Sequence, residues 1–329
     1  MKILRKLEVP TGHIIIAEGE KGKVEFMSIG DYGQQHNLKC DALGLNRDIE
    51  GPVKHVELLP LTEKWVITIS TQMGCSMGCT FCDVPKVGAG RNVTQLDLIN
   101  QVLIGLKLHP EIQESKRLNI HFARMGEPTW NPAVLDAAGW YHRHLNPEFN
   151  VHPVVSTMMP SKNIWLKTFI HTWMRIKNRM MNGNAGLQLS INSTCEDERL
   201  LMFNGNACTL EEIARIMDGI IPVGRKITLN FAVAGYEIDP AILLKYFNPQ
   251  LYICKLTPMH KTEEALKNGI ETAGDYTTIT PYKEHEEALK EAGYDVLVFI
   301  ASLEEDLGRI TCGNAILSGL MPSVEYTEV

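Results

Sequence analysis

From Trp65 onward the sequence alternates between two kinds of segment, and that alternation limits the fold more than any other feature. WVITIS, LNIHFA, VHPVVST, GLQLSIN, KITLNFAVA, QLYICKL and YDVLVFI are short apolar runs rich in β-branched residues. Their length and composition are those of strands. Helix-like segments lie between most of them. TQLDLINQVLIGLKL has a Thr cap followed by leucines and isoleucines at helical spacing, and TLEEIARIMDGI opens on a capping-box pattern. Repeated βα units imply α/β architecture with a parallel sheet, either closed into a barrel or open and doubly wound. Residues 1–62 differ. GHIIIAEG and KGKVEFMSIGDYG are β-branched or alternating runs bounded by glycines. The expected division is a small β-rich accessory part over 1–62 and an α/β part over 63–329.

In both parallel architectures functional residues gather where the strands end. CSMGCTFC follows the first α/β strand, GEP the second and STMMPS the third; SINST ends the fourth, and TPMHK follows QLYICKL. All are expected on one face. The first of these segments holds Cys75, Cys79 and Cys82, three of the eight cysteines in the chain. C-x3-C-x2-C places three thiolates on a short loop able to wrap one metal centre. Structural zinc normally takes four ligands, and no further Cys or His stands nearby; the closest histidines are His55 and His109. Iron–sulfur clusters are also usually held by four cysteines. Three ligands leave one iron open, and an open position is where a substrate or cofactor binds. On the residues alone, a zinc site and three structural thiols remain alternatives.

Composition narrows the setting. With 329 residues, 44% of them apolar, the chain can bury a core without covalent staples. Three clustered and five scattered cysteines suit ligation better than a disulfide framework, and hence a reducing, cytoplasmic setting. No stretch approaches the ~18 apolar residues of a membrane span, and the apolar run in MKILRKLEVPTGHIIIAEGEKG is short for a signal peptide. The net charge of −7 weighs against extensive phosphate contact but leaves room for a local basic patch. One segment has that look: Trp165, Phe169 and Trp173 recur every four residues among Lys162, Lys167, Arg175, Lys177 and Arg179. It reads as an amphipathic barrel helix with a solvated basic face, although such segments also stack bases.

C-x3-C-x2-C with an aromatic residue before its last cysteine, here Phe81, resembles the radical S-adenosylmethionine (SAM) signature. The resemblance implies a partial (β/α)6 TIM-like barrel and a [4Fe-4S] cluster on Cys75, Cys79 and Cys82. SAM would bind the open iron, and one electron would cleave it to methionine and a 5′-deoxyadenosyl radical. Six stretches in order, STQMGCSMGCTFC, GRNVTQLDLINQV, MGEPTWN, VVSTMMPS, LSINS and EEDLGRITCGNA, resemble the RlmN/Cfr type, which methylates adenine carbons in RNA. That likeness covers roughly residues 53–318. It implies that Gly126 and Glu127 receive the SAM amino group and that Ser156 and Ser190 contact its ribose or carboxylate. Asn192 and His260 stand where the family has histidine and asparagine. Cys312 matches the cysteine that first accepts a methyl group from one SAM. The carbon radical later made from that methyl adds to the adenine ring, a detour required because an amidine carbon is no nucleophile toward SAM. Expected partners are SAM, a flavodoxin or ferredoxin as reductant, and an RNA or nucleotide substrate, with no membrane.

The resemblance breaks in three places. Thr68 occupies the position of the family's second cysteine, which resolves the protein–RNA crosslink as a disulfide; a hydroxyl cannot do so. His55 stands where family members carry an acid. The part before residue 62 is too short for the family's helical RNA-handling domain. Cys254 and Cys195, near strand ends, could take over release, whereas Cys40 and Cys208 look peripheral, and each of these reads first as a plain buried cysteine; alternatively, product could leave without a disulfide. The remaining alternative is a radical reaction of another class, hydrogen abstraction or coupling, on a non-RNA substrate.

Overall fold

A computed structural model describes residues 1–34, 55–272 and 276–328. The glycine-bounded N-terminal runs form β1 (Lys2–Val9), β2 (Gly12–Gly19) and β3 (Gly22–Ile29), joined antiparallel through two-residue turns. β4 (Tyr32–Gln34) and β5 (His55–Leu58) pair as a small separate ribbon, as do β7 (Gln72–Gly74) and β8 (Ala89–Asn92). Between them lies β6 (Trp65–Ile69), the first strand of the α/β region. It is followed by β9 (Leu118–Phe122), β10 (Val151–Thr157), β11 (Gly186–Ser190), β12 (Ile227–Val233), β13 (Tyr252–Pro258) and β14 (Asp295–Val298). All seven apolar runs are therefore strands, and neighbours along this series pair in parallel. Six satisfy the (β/α)6 expectation; β14 extends the series by one.

The parts on either side of residue 62 share one sheet. β3 pairs antiparallel with β6, with Met27 opposite Thr68 and Ser28 opposite Ile67. A short strand, β15 (Thr327–Glu328), returns to pair with β1. The order β14-β13-β12-β11-β10-β9-β6-β3-β2-β1-β15 is an open ribbon of eleven strands. It curls, because a single cavity touches side chains from β9 through β13 and from the segment beyond β14.

Alternation along the strands decides what faces where. Trp65, Ile67, Ile69, Leu118, Ile120 and Phe122 turn outward and are fully buried beneath the helices Gln95–Lys107 and Ala133–His144. The first helix starts at Thr94, whose hydroxyl accepts the Asp97 amide at 3.1 Å, and the TLEE segment starts at a complete capping box on Thr209. A second, smaller core lies on the other face of β1–β3, where Leu7, Ile14, Ile16 and Met27 pack against Ile310 and Ile316. The N-terminal strands thus support the segment that carries Cys312. Among the described residues, no helix is long and apolar enough to cross a membrane.

Phe169 and Trp173 of the aromatic segment point into the core, with Trp173 donating to the Gly186 carbonyl at 3.0 Å. Lys177 is buried too, and Trp165 alone of the three aromatics is exposed. The segment is a packed helix, Leu166–Arg175, with one solvated face.

Candidate active site

At the C-terminal ends of the strands lies a cavity of ≈ 290 Å³. Its lining brings together Cys75, Cys79, Cys82 and Cys312 with Gly126, Glu127, Ser156, Ser190, Asn192 and His260. Every site residue singled out in the sequence meets the others here, although they span 238 positions of chain, from 75 to 312.

The three-cysteine loop is held from several sides. The Cys75 amide donates to the Gly88 carbonyl at 3.0 Å, the Thr80 amide to Met202 at 3.0 Å, and Asn206 Nδ2 to Met77 at 2.8 Å. Thr262 Oγ1 donates to the Phe81 carbonyl at 2.8 Å. Met77, Met202 and Phe203 form an apolar jacket around the thiols, with Phe81 packed edge-on to Phe203. Burial pushes all three thiols upward in pKa, Cys75 to about 11. Such thiols ligate only where a metal displaces the proton. Among the described residues no three side chains converge on one point as the ligands of a single metal ion do. A four-iron cluster takes each thiolate at a different iron, so its sulfurs stand apart around a volume, and three free thiols on one cavity wall fit that group.

Gly126 has φ 92°, and a Cβ there would stand 2.5 Å from Gln72 Cβ. Gln72 was missed in the sequence. Its Oε1 accepts the Glu127 amide at 3.0 Å and the Ser76 hydroxyl at 3.1 Å, tying the GEP turn to the cysteine loop. Glu127 is buried; one oxygen accepts the Thr129 amide and hydroxyl at 3.0 and 2.8 Å, the other the Met158 amide at 2.8 Å. Burial raises its pKa and these hydrogen bonds oppose the rise. The Thr157 hydroxyl adds a fourth hydrogen bond, so the chain's own donors approach all of the carboxylate's roughly four lone-pair sites. Asn192, at φ 61°, accepts the Ala232 amide at 3.1 Å and so holds β11 to β12. His260 Nδ1 lies 3.6 Å from Asp306 Oδ1, and burial lowers the imidazole pKa against the pull of that carboxylate.

Cys312 is exposed to the cavity on a loop that is fixed on both sides. Asp306 Oδ1 accepts the Thr311 hydroxyl at 2.8 Å, and Arg309 donates to Asn314 at 2.8 Å. The Asp83 amide, next to Cys82, donates to the Gly313 carbonyl at 2.9 Å. Arg124 links this loop to the N-terminal strands: it donates to the Arg309 carbonyl at 2.8 Å and, through Nε, to Glu25 of β3 at 2.9 Å. None of Cys195, Cys208 and Cys254 lines the cavity; Cys208 and Cys254 are buried in the core, and Cys40 lies outside the described residues. Thr68 sits in β6 opposite His121.

The fold compares with a known structure, a radical SAM methyltransferase from Sphaerobacter thermophilus, at a TM-score of 0.64 over 95% of this chain and 80% of that one, with 17% identity. The two share a fold. In sequence, the chain resembles RlmN proteins. It is 26% identical over 217 residues to the probable dual-specificity RNA methyltransferase RlmN of Aquifex aeolicus, covering 64% of this chain and 57% of that protein. It is 43% identical over 70 residues to the dual-specificity RNA methyltransferase RlmN of Aliarcobacter butzleri, covering 21% of this chain and 19% of the relative. The matched segments thus span from about a fifth to little more than half of these relatives. No family model matches the chain.

Proposed function

We propose that the protein is a radical SAM enzyme that transfers a one-carbon unit through Cys312 to an adenine-type carbon in RNA or a nucleotide. The observation that carries this reading is the cavity wall shared by Cys75, Cys79, Cys82 and Cys312 with Glu127, and by no other described cysteine. Cys75, Cys79 and Cys82 would hold a [4Fe-4S] cluster. When bound, cluster and SAM together supply a 5′-deoxyadenosyl radical once a donor such as a flavodoxin or ferredoxin delivers an electron. Glu127 offers its carboxylate charge to the SAM ammonium, a charge-assisted contact, while Gly126 lets the backbone approach. Ser156, Ser190, Asn192 and His260 line the space left for the rest of SAM. The apolar jacket around the thiols keeps water from the reacting atoms. Cys312, held but exposed, is the methyl carrier.

The test is peptide mass spectrometry on anaerobically reconstituted protein incubated with SAM carrying a deuterated methyl group. A labelled one-carbon unit on Cys312 is expected. An unmodified Cys312 beside continued 5′-deoxyadenosine production would replace this reading by hydrogen abstraction or coupling chemistry. Ala at Cys75, Cys79 or Cys82 is expected to abolish both cluster absorbance and SAM cleavage.

A further inference from the structure

The opposite end of the barrel carries charge that this chemistry does not use. A second cavity of ≈ 300 Å³ lies between the lower ends of β12, β13 and β14, and its lining includes Arg225, Lys226, Thr228, Ile253, Lys255 and Asp295. Lys255 also lines the upper cavity, so the two adjoin. Arg117 and Lys64, at the entrances to β9 and β6, add cations at the same end. Burial, and after it the charges of Lys255, Arg225, Lys64 and Arg117, push the pKa of His121 down to about 3.

The acids at this end are already engaged. Asp295 pairs with Lys226 at 2.7 Å, and Asp31 pairs with Lys64. Arg117 and Arg225 have no carboxylate partner among the described residues; their contacts are neutral, to Asn119 Oδ1 at 3.0 Å and to the Asn184 carbonyl at 3.2 Å. Burial and Arg117 lower the pKa of Arg225 to about 10, so it stays charged at neutral pH. Gathering like charges away from water is unfavourable unless an anion offsets it. With a net charge of −7 for the whole chain, the cluster is no by-product of a basic composition. Two guanidinium forks suit a doubly charged, many-oxygen anion better than a single carboxylate.

We propose that the barrel floor binds a phosphoryl group through Arg117 and Arg225, and that the substrate is a small phosphate ester lying in the lumen with its reacting end toward Cys312. The first part stands without the proposed function; the second rests on it. Five residue steps separate Ile253 from Pro258 along β13, roughly 16 Å at strand rise, a length that an extended nucleotide can bridge.

Calorimetric titration of the reconstituted full chain with inorganic pyrophosphate, at constant ionic strength, tests the floor. Saturable binding is expected, weakened about tenfold or more in Arg117→Gln and in Arg225→Gln, with SAM affinity unchanged. Thr228→Glu places a carboxylate among the cations; it is expected to abolish pyrophosphate binding and to raise the thermal midpoint in anion-free buffer, which a misfolded variant cannot do. Equal affinity in the wild type and both arginine variants, or no saturable binding at millimolar pyrophosphate, would overturn the site. Competition separates the second part. Displacement of pyrophosphate by adenosine diphosphate but not by adenosine supports a phosphorylated substrate, and failure of displacement overturns it. Pyrophosphate binding without any SAM cleavage would leave the anion site standing and remove the radical reading alone.

Discussion

At Gly126 a single hydrogen atom decides whether the site can form. Its φ of 92° and the 2.5 Å approach of Gln72 leave no room for a methyl group. Gly126→Ala is expected to cost about 1–3 kcal/mol by urea denaturation and to weaken SAM binding, because the GEP turn must move off Gln72. The Arg124–Glu25 pair is the other position of high leverage. Both side chains are almost fully buried. Removing one charge strands the other, so Arg124→Leu should cost about 3–5 kcal/mol, and adding Glu25→Leu should recover part of that loss in a double-mutant cycle. The thiols, Gly126 and Glu127 were legible because their spacing is local. Gln72 and Arg124 were not, since each acts on a partner 55 and 99 positions away, a relation that no local pattern carries.

At the scale of elements, period and composition located all seven parallel strands, and hydroxyl caps fixed the starts of two helices. The helix Leu166–Arg175 shows where such reading stops. Its repeat of aromatics marked one face, and packing decided that Phe169 and Trp173 belong to the core while Trp165 is 67% exposed. Trp173→Ala should therefore cost about 3–5 kcal/mol, whereas Trp165→Ala should leave the urea midpoint nearly unchanged. The antiparallel seam between β3 and β6 was likewise invisible, because strand pairing depends on partners far apart in sequence. What looked like an appendage is part of the same sheet.

For the whole molecule, the burial of two histidines, with cations gathered near them, sets a pH dependence. Burial, with Lys255, Arg225, Lys64 and Arg117, holds His121 near a pKa of about 3; burial, with Arg117 and Arg225, holds His152 near about 4. In the unfolded chain both titrate at about 6.5. Below that pH the unfolded state takes up protons that the folded state refuses, so stability falls as pH drops from about 6.5 toward 4. Urea midpoints measured at pH 7 and pH 5 should differ in that sense. Replacing His121 and His152 together by Asn should flatten the difference.

The return of β15 to β1, with Ile310 and Ile316 packed on the first three strands, also sets an order of events on the ribosome. β1 to β3 emerge well before the residues that cover their second face are made. Cys312 arrives with that late segment. The thiol proposed above as methyl carrier therefore reaches its seat after the cysteine loop, the GEP turn and the lumen have been synthesised, and it need never encounter a half-built cavity.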